Sequence, residues 1–310
     1  MRKLPSVYRV ASEVRNARVA NGPIVALETT VVTHGLPKPE NLKLARDMEN
    51  MVRAKGAIPA TIGVLNGLIH VGINQEQLEE LASAAPLRKI SRRDFSFAIS
   101  RQESGGTTVA GTLIAAHTTG IRVMATGGIG GVHRNAPFDI SADLQELSRT
   151  PVVVVCSGAK SILDLPATLE VLETLGVPVV GYQTDQFPAF YARSSGLPVN
   201  MCAASPKDVA NIADAHWKLG LSSAVLVVVP IPADDALSEI EMESVVEQAL
   251  VEAKDKKISG QNVTPFLLNR VSELTGQASL RANLALLLNN GRVAAEIACA
   301  YHRKYKKVIA

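Results

Sequence analysis

Six short runs, IVAL (24–27), TIGVL (61–65), IRVMAT (121–126), VVVVC (152–156), VPVVGY (177–182) and SAVLVVV (223–229), are aliphatic with almost no polar alternation. A strand with one wet face alternates apolar and polar residues, whereas a run that is apolar throughout is covered on both sides. Helical patterns separate the runs. NLKLARDMENMVRAKG places Leu44, Met48, Met51 and Val52 on one face before Gly56 stops it. Further helices are predicted at Gln75–Ala84 with Asn74 as N-cap, at Thr107–Thr118, and from Pro166 to Leu175 with Gly176 as the stop. The Thr107–Thr118 helix is apolar nearly all round, hence buried. Ser238 and Glu241 form a capping box for another helix, and two more lie at about Pro265–Leu274 and Leu280–Ala300. The pattern predicts an α/β fold: a three-layer α/β/α single domain with a central mixed, largely parallel β-sheet. One domain covers 1–310, with 1–20 as an N-terminal extension.

The net charge of +3 is spread along the chain, and the most basic stretches, RKISRRD (88–94) and YHRKYKK (301–307), have few aromatics beside them. Nucleic-acid binders concentrate basic charge into a footprint, so no nucleic-acid polymer is expected as partner; a small anion remains open. The three cysteines, Cys156, Cys202 and Cys299, are too far apart for a zinc ribbon and read as reduced thiols. No apolar stretch of signal-peptide length follows the basic start, and AVLVVV (224–229) is too short to span a bilayer. A cytoplasmic protein without membrane contact is expected.

Ligands of open α/β sheets sit beyond the carboxyl ends of the strands, and unusual polar residues fall at three such ends. Glu28 follows IVAL, where desolvation raises a carboxyl's pKa and suits it to donate a proton; capping the loop ETTVVTHG is the alternative. Lys160 follows VVVVCSGA and starts beside the core, the setting of a Schiff-base amine or of a phosphate-binding lysine. The glycines of ATGGIGGVHR could admit an anion to backbone N–H groups, although GKS and GKT are absent. Gly105–Gly106, before the helix at Thr107, offer a second anion site, with Lys89, Arg92 and Arg93 as counter-charges or as a solvated basic face. Asp139 and Asp143 are four residues apart. If FDISADL begins a helix they share a side, and Asp139 could hold a hydrated divalent cation or cap the helix. His133, Arg134 and His34 could orient an anion or close loops.

The blocks VALETTVVTHGLPKPEN, GAIPATIGVLNG, KISRRD, GGTTVAGT, ATGGIGGVHR, FDISADLQEL, GAKSILDLPATLEVLETLGVPVVGYQTDQFPAF, PIP, TPFLLNRVSELTG and NN together resemble the pseudouridine-5'-phosphate glycosidase family, also called indigoidine-synthase-A-like, from about Val25 to Ala298. The resemblance implies cleavage of the carbon–carbon bond between uracil C5 and ribose C1' of pseudouridine 5'-phosphate, giving uracil and ribose 5-phosphate. It puts the nucleophile on Lys160, as an adduct at C1' of the opened sugar, and the proton donor on Glu28. It puts one largely water-coordinated Mn2+ per subunit on Asp139, and substrate contacts on Lys89, Val109, Ser141, Ala142 and Asp143. Thr107, Thr108 and the glycine-rich backbone are added for phosphate, His133 as a further substrate contact, and Asn283 for the polar edge of uracil. A homotrimer and a separate pseudouridine kinase as pathway neighbour are implied too. HRNAPFD is shorter between His133–Arg134 and Asp139 than the family pattern. From the residues alone, a Schiff-base lyase or aldolase acting on another sugar phosphate, or a non-catalytic nucleotide-binding protein, stays open.

Overall fold

In the computed structural model, which describes residues 4–83, 87–134, 136–258 and 263–309, all six aliphatic runs contribute sheet strands. Ile24–Leu27, Val123–Ala125, Val153–Cys156 and Val225–Val228 are buried at every position. Successive side chains of a strand point to opposite faces, so burial throughout requires cover on both. The long helix Ala278–Ile309 lies across Ile24–Leu27, Val123–Ala125 and Val153–Cys156, with helices Glu40–Ala54 and Pro206–Lys218 beside it. Helix Val109–Thr118 packs on Ile24–Leu27, on Ile58–Leu65 and on the short helix Ala142–Leu147. The result is the expected three-layer α/β/α domain. Among the described residues no helix is long and apolar enough to cross a membrane.

Among the described residues the main sheet has 11 strands. Its path runs Tyr8–Val10, Leu68–Val71, Ile58–Leu65, Ile24–Leu27, Val123–Ala125, Val153–Cys156, Val225–Val228, Val179–Tyr182 and Met201–Ala203. Neighbours from Ile58–Leu65 onward are parallel, while Leu68–Val71 returns antiparallel on Ile58–Leu65. Gly105–Thr107 also pairs antiparallel with Ile58–Leu65 and carries Arg88–Ile90 parallel to itself. From Ile24–Leu27 the path leads one way to Ile58–Leu65 and the other way to Val123–Ala125. The strand order therefore reverses between the carboxyl ends Leu27 and Ala125, where an open α/β sheet forms its crevice.

Several expectations change. Within the N-terminal extension, residues 4–20 pack on the sheet: Tyr8–Val10 pairs with Leu68–Val71, and helix Ser12–Val19 buries Val14. The helix expected from Thr107 begins at Val109, because Thr108 is its N-cap and Gly105–Thr107 is a strand. The helix expected over Gln75–Ala84 is described as Gln75–Ser83, and Ala84 lies outside the described residues. FDISADL is not one helix. Ala136–Ile140 is a strand of a small antiparallel sheet with Val132–His133 and Leu163–Asp164, and Ser141 caps the helix that follows.

Candidate active site

Glu28, Lys89 and Lys160 line one narrow cavity of about 50 Å³ at the reversal of strand order. Each arrives from a different element. Glu28 follows Ile24–Leu27, Lys89 is the middle residue of Arg88–Ile90, and Lys160 ends the loop after Val153–Cys156. That loop needs Gly158: its φ is +84°, and a Cβ there would lie 2.5 Å from the carbonyl oxygen of Pro188. The cavity shares His34, Gly35, Pro265, Leu268 and Asn283 with an adjoining chamber of about 380 Å³. Asn283 thus faces both spaces, and among the described residues nothing hydrogen-bonds its amide.

Burial pushes the Glu28 carboxyl above the ordinary carboxylate range; Lys160 and the hydroxyl of Thr126 pull it back, and Asp143 adds repulsion. The Thr126 hydroxyl donates to Glu28 Oε1 and fixes that oxygen as acceptor. A protonated Glu28 then has its other oxygen for the proton. Lys89 is held below the usual lysine value by burial and then by the Lys160 charge, opposed by Asp143 and Glu28. His133 is lowered by burial, Asp139 opposes, and the charges of Lys160 and Lys89 add to the lowering. His133 and the two lysines therefore share one electrostatic neighbourhood.

Gly127 and Gly128 of the glycine-rich segment line the cavity, and Gly130 helps hold an anion of the protein itself, Asp143. Its Oδ2 accepts the N–H of Gly130 at 2.9 Å, and its Oδ1 accepts the N–H of Ala110, in the first turn of helix Val109–Thr118, at 2.9 Å. Only 5% of Asp143 is exposed, so these bonds hold a carboxylate that would otherwise be costly to bury. Gly130 lies so close that a Cβ would sit 2.1 Å from Ser141 Oγ. Gly105 and Gly106 instead serve close packing, with Cβ positions 2.1 Å from Arg88 O and 2.2 Å from Thr33 Oγ1.

The remaining candidates divide. Val109 and Ser141 stand beside the Asp143 cradle, Val109 buried at the helix start and Ser141 as cap accepting the Asp143 N–H at 3.2 Å; Ala142 is exposed. Thr107 is fully buried and donates its hydroxyl to Ile62 O at 2.7 Å, which corrects the expectation of a phosphate contact from that side chain. The Thr108 hydroxyl accepts the Gly111 N–H at 3.2 Å as cap. Arg92 is a bidentate partner of buried Glu146, at 2.6 and 2.8 Å, so it does not supply counter-charge to a second anion site. Asp139 is exposed on its strand and Asp143 buried on the helix, so the two do not share a helical side. Among the described residues no three His, Cys, Asp or Glu side chains converge as metal ligands. The shortened segment before Asp139 includes Asn135, outside the described residues.

Two residues of the site, and the form of the turn that carries His34, were not singled out by sequence. Thr126 holds Glu28. Phe190 lines the inner cavity with φ +61°, an uncommon backbone for a bulky residue, and its ring occupies the space a Cβ on Gly128 would need, 2.7 Å away. Val31–Gly35, expected as part of a loop, forms one π-helical turn that presents His34 to the cavity. The His34 Nε2–H donates to Leu87 O at 3.2 Å, which leaves Nδ1, 2.7 Å from the Thr33 hydroxyl, as an acceptor in the neutral ring.

A family model described as indigoidine synthase A like protein matches residues 13–300. The pseudouridine-5'-phosphate glycosidase of Geobacillus kaustophilus is 51% identical over 93% of this chain and 96% of its own length. That of Legionella pneumophila is 53% identical, covering 94% and 95%. Among solved structures, the prealnumycin C-glycosynthase AlnA in complex with ribulose 5-phosphate superposes with a TM-score of 0.91 at 37% identity, over 98% of this chain and 99% of that one. An indigoidine synthase A-like protein from Thermotoga maritima gives 0.89 at 35%, over 98% and 100%.

Proposed function

The chain belongs to the indigoidine synthase A-like family, and on that premise we propose that it is a pseudouridine-5'-phosphate glycosidase. It breaks the bond between uracil C5 and ribose C1', consuming water and giving uracil and ribose 5-phosphate. The observation that carries the reading is the meeting of Glu28 and Lys160 in one crevice, with Glu28 biased toward its protonated form by burial.

A C-nucleoside has no leaving heteroatom to protonate, so the carbon itself must take the proton. Lys160 Nζ bonds to C1' as the ring oxygen departs, and the proton that the amine gives up passes to that oxygen, which leaves as a hydroxyl. Glu28 delivers its proton to uracil C5, the amine lone pair forms C1'=N, and the electrons of the C1'–C5 bond remain with neutral uracil. Water hydrolyses the imine, releasing ribose 5-phosphate and the lysine amine. Lys89 and His133 face the anionic sugar phosphate, Val109 and Ser141–Asp143 bound the substrate, and Asn283 reads the amide edge of uracil. A sugar phosphate suits the fold, since AlnA was solved with ribulose 5-phosphate.

We assign one Mn2+ per subunit to Asp139. An exposed carboxylate suits a hard cation that keeps most of its water. When bound, the ion would supply positive charge beside the phosphorylated substrate. The proposal extends to a cytoplasmic homotrimer fed by a separate pseudouridine kinase.

Reductive trapping tests the adduct. Incubation with ribose 5-phosphate and cyanoborohydride should attach a reduced pentose phosphate to the peptide bearing Lys160, by mass spectrometry. Labelling elsewhere, or none, contradicts the role of Lys160.

A further inference from the structure

Asn290 is fully buried in the helix Ala278–Ile309, on a face whose other inward residues, Leu286, Leu287, Val293 and Ala294, are apolar. A leucine there would fill similar volume without needing partners. The amide instead makes a specific set of bonds. Its Nδ2 donates to Thr126 O at 2.9 Å and approaches Gly127 O at 3.4 Å. The Ser157 hydroxyl lies 3.1 Å from Nδ2 and 3.3 Å from Oδ1.

Those partners are the first residues of two loops. Thr126 and Gly127 follow Val123–Ala125; Ser157 follows Val153–Cys156. The loops then run together: Ser157 N–H donates to Gly127 O at 2.8 Å, Ile129 N–H to Gly158 O at 3.0 Å, and Lys160 N–H to Ile129 O at 3.2 Å. At the other end of the connection the Thr126 hydroxyl holds Glu28. One buried amide thus stands behind both the proton donor and the nucleophile.

We propose that Asn290 is a positioning residue for the carbon–carbon cleavage, fixing the Glu28 carboxyl and the Lys160 loop in mutual register. The inference rests on the glycosidase reading above. Asn290 touches no substrate; it acts through Thr126 and Ser157. Loosening it should spare ground-state binding, which Lys89 and Asn283 supply, and harm the step in which the proton and the amine act together.

The test compares Asn290→Asp and Asn290→Leu with wild type for kcat, KM and the pH profile of uracil release from pseudouridine 5'-phosphate, with Tm measured on the same samples. Misplacement of reacting groups is expected to lower kcat about 10-fold to 100-fold, with KM unchanged. The alkaline limb of kcat should move to higher pH, because Thr126 no longer favours the Glu28 carboxylate. A merely structural role would lower the folded fraction and leave the limb in place. A folded variant with wild-type kcat and pH profile, or activity falling only with folded fraction, overturns the proposal alone. Wild type that releases no uracil overturns the glycosidase reading and the proposal with it. If neither variant folds, Ser157→Ala removes the other end of the link and is judged by the same outcomes.

Discussion

As the proposed proton donor, Glu28 combines two requirements that oppose each other. A proton donor must be protonated at working pH, and the burial that achieves this makes its ionised form costly. A carboxyl raised in the folded state contributes stability that is full below its unfolded pKa and is lost as pH rises through the folded one. Glu28→Gln, which does not titrate, should therefore have a higher Tm than wild type at pH 8, and the gain should vanish at pH below the ordinary carboxylate range. The same change should lower kcat by about 10²- to 10⁴-fold, the usual contribution of a general acid. Thermal melts across pH and steady-state kinetics check the two halves separately. Glu28 and Lys160 were legible in the sequence because each closely follows an aliphatic run, and such strands end at crevices. The partners of Asp143 and Arg92 were not, since they come from segments 13 and 33 residues away for Asp143 and 54 for Arg92. Local pattern carries no information about such pairings.

At the level of elements, the aliphatic strands and long helices were readable because burial on both faces leaves a continuous signal. Short edge pieces were not. Arg88–Ile90 and Gly105–Thr107 have no hydrophobic run of their own and exist through pairing with Ile58–Leu65 and with each other. FDISADL misled because an acidic residue four positions before another suggests one helix, whereas Ser141 takes the cap. The glycine segment divides: Gly130 donates to Asp143, while Gly127 and Gly128 line the cavity. Gly130→Ala tests that account. The new methyl would meet Ser141 Oγ at 2.1 Å and Asp143 Oδ2 at 2.9 Å, so the cap or the carboxylate must move. Overpacking of this kind costs about 1–3 kcal/mol, and urea melts should register it together with a fall in substrate affinity. A variant with wild-type stability and KM would show that the cradle is dispensable.

At the scale of the molecule, what the sequence leaves out is strand order. Aliphatic runs announce a covered, largely parallel sheet and say nothing of which strand lies beside which. The reversal between Ile24–Leu27 and Val123–Ala125 is a property of the whole path, and it brings Glu28 beside Thr126 across 98 residues of chain. The next parallel strand, Val153–Cys156, adds Lys160 from the neighbouring position. Three elements distant in sequence thereby bring Glu28 and Lys160 to one cavity, and helix Ala278–Ile309 spans all three from one side. On the proposed reading, this constellation severs a carbon–carbon glycosidic bond. The most direct test of that reading is uracil release from pseudouridine 5'-phosphate by wild type and Lys160→Ala, each chelated and then resupplied with Mn2+. Release by wild type that depends on the metal and is absent in the variant is the predicted result; release undiminished in Lys160→Ala, or none from wild type under any condition, would contradict it.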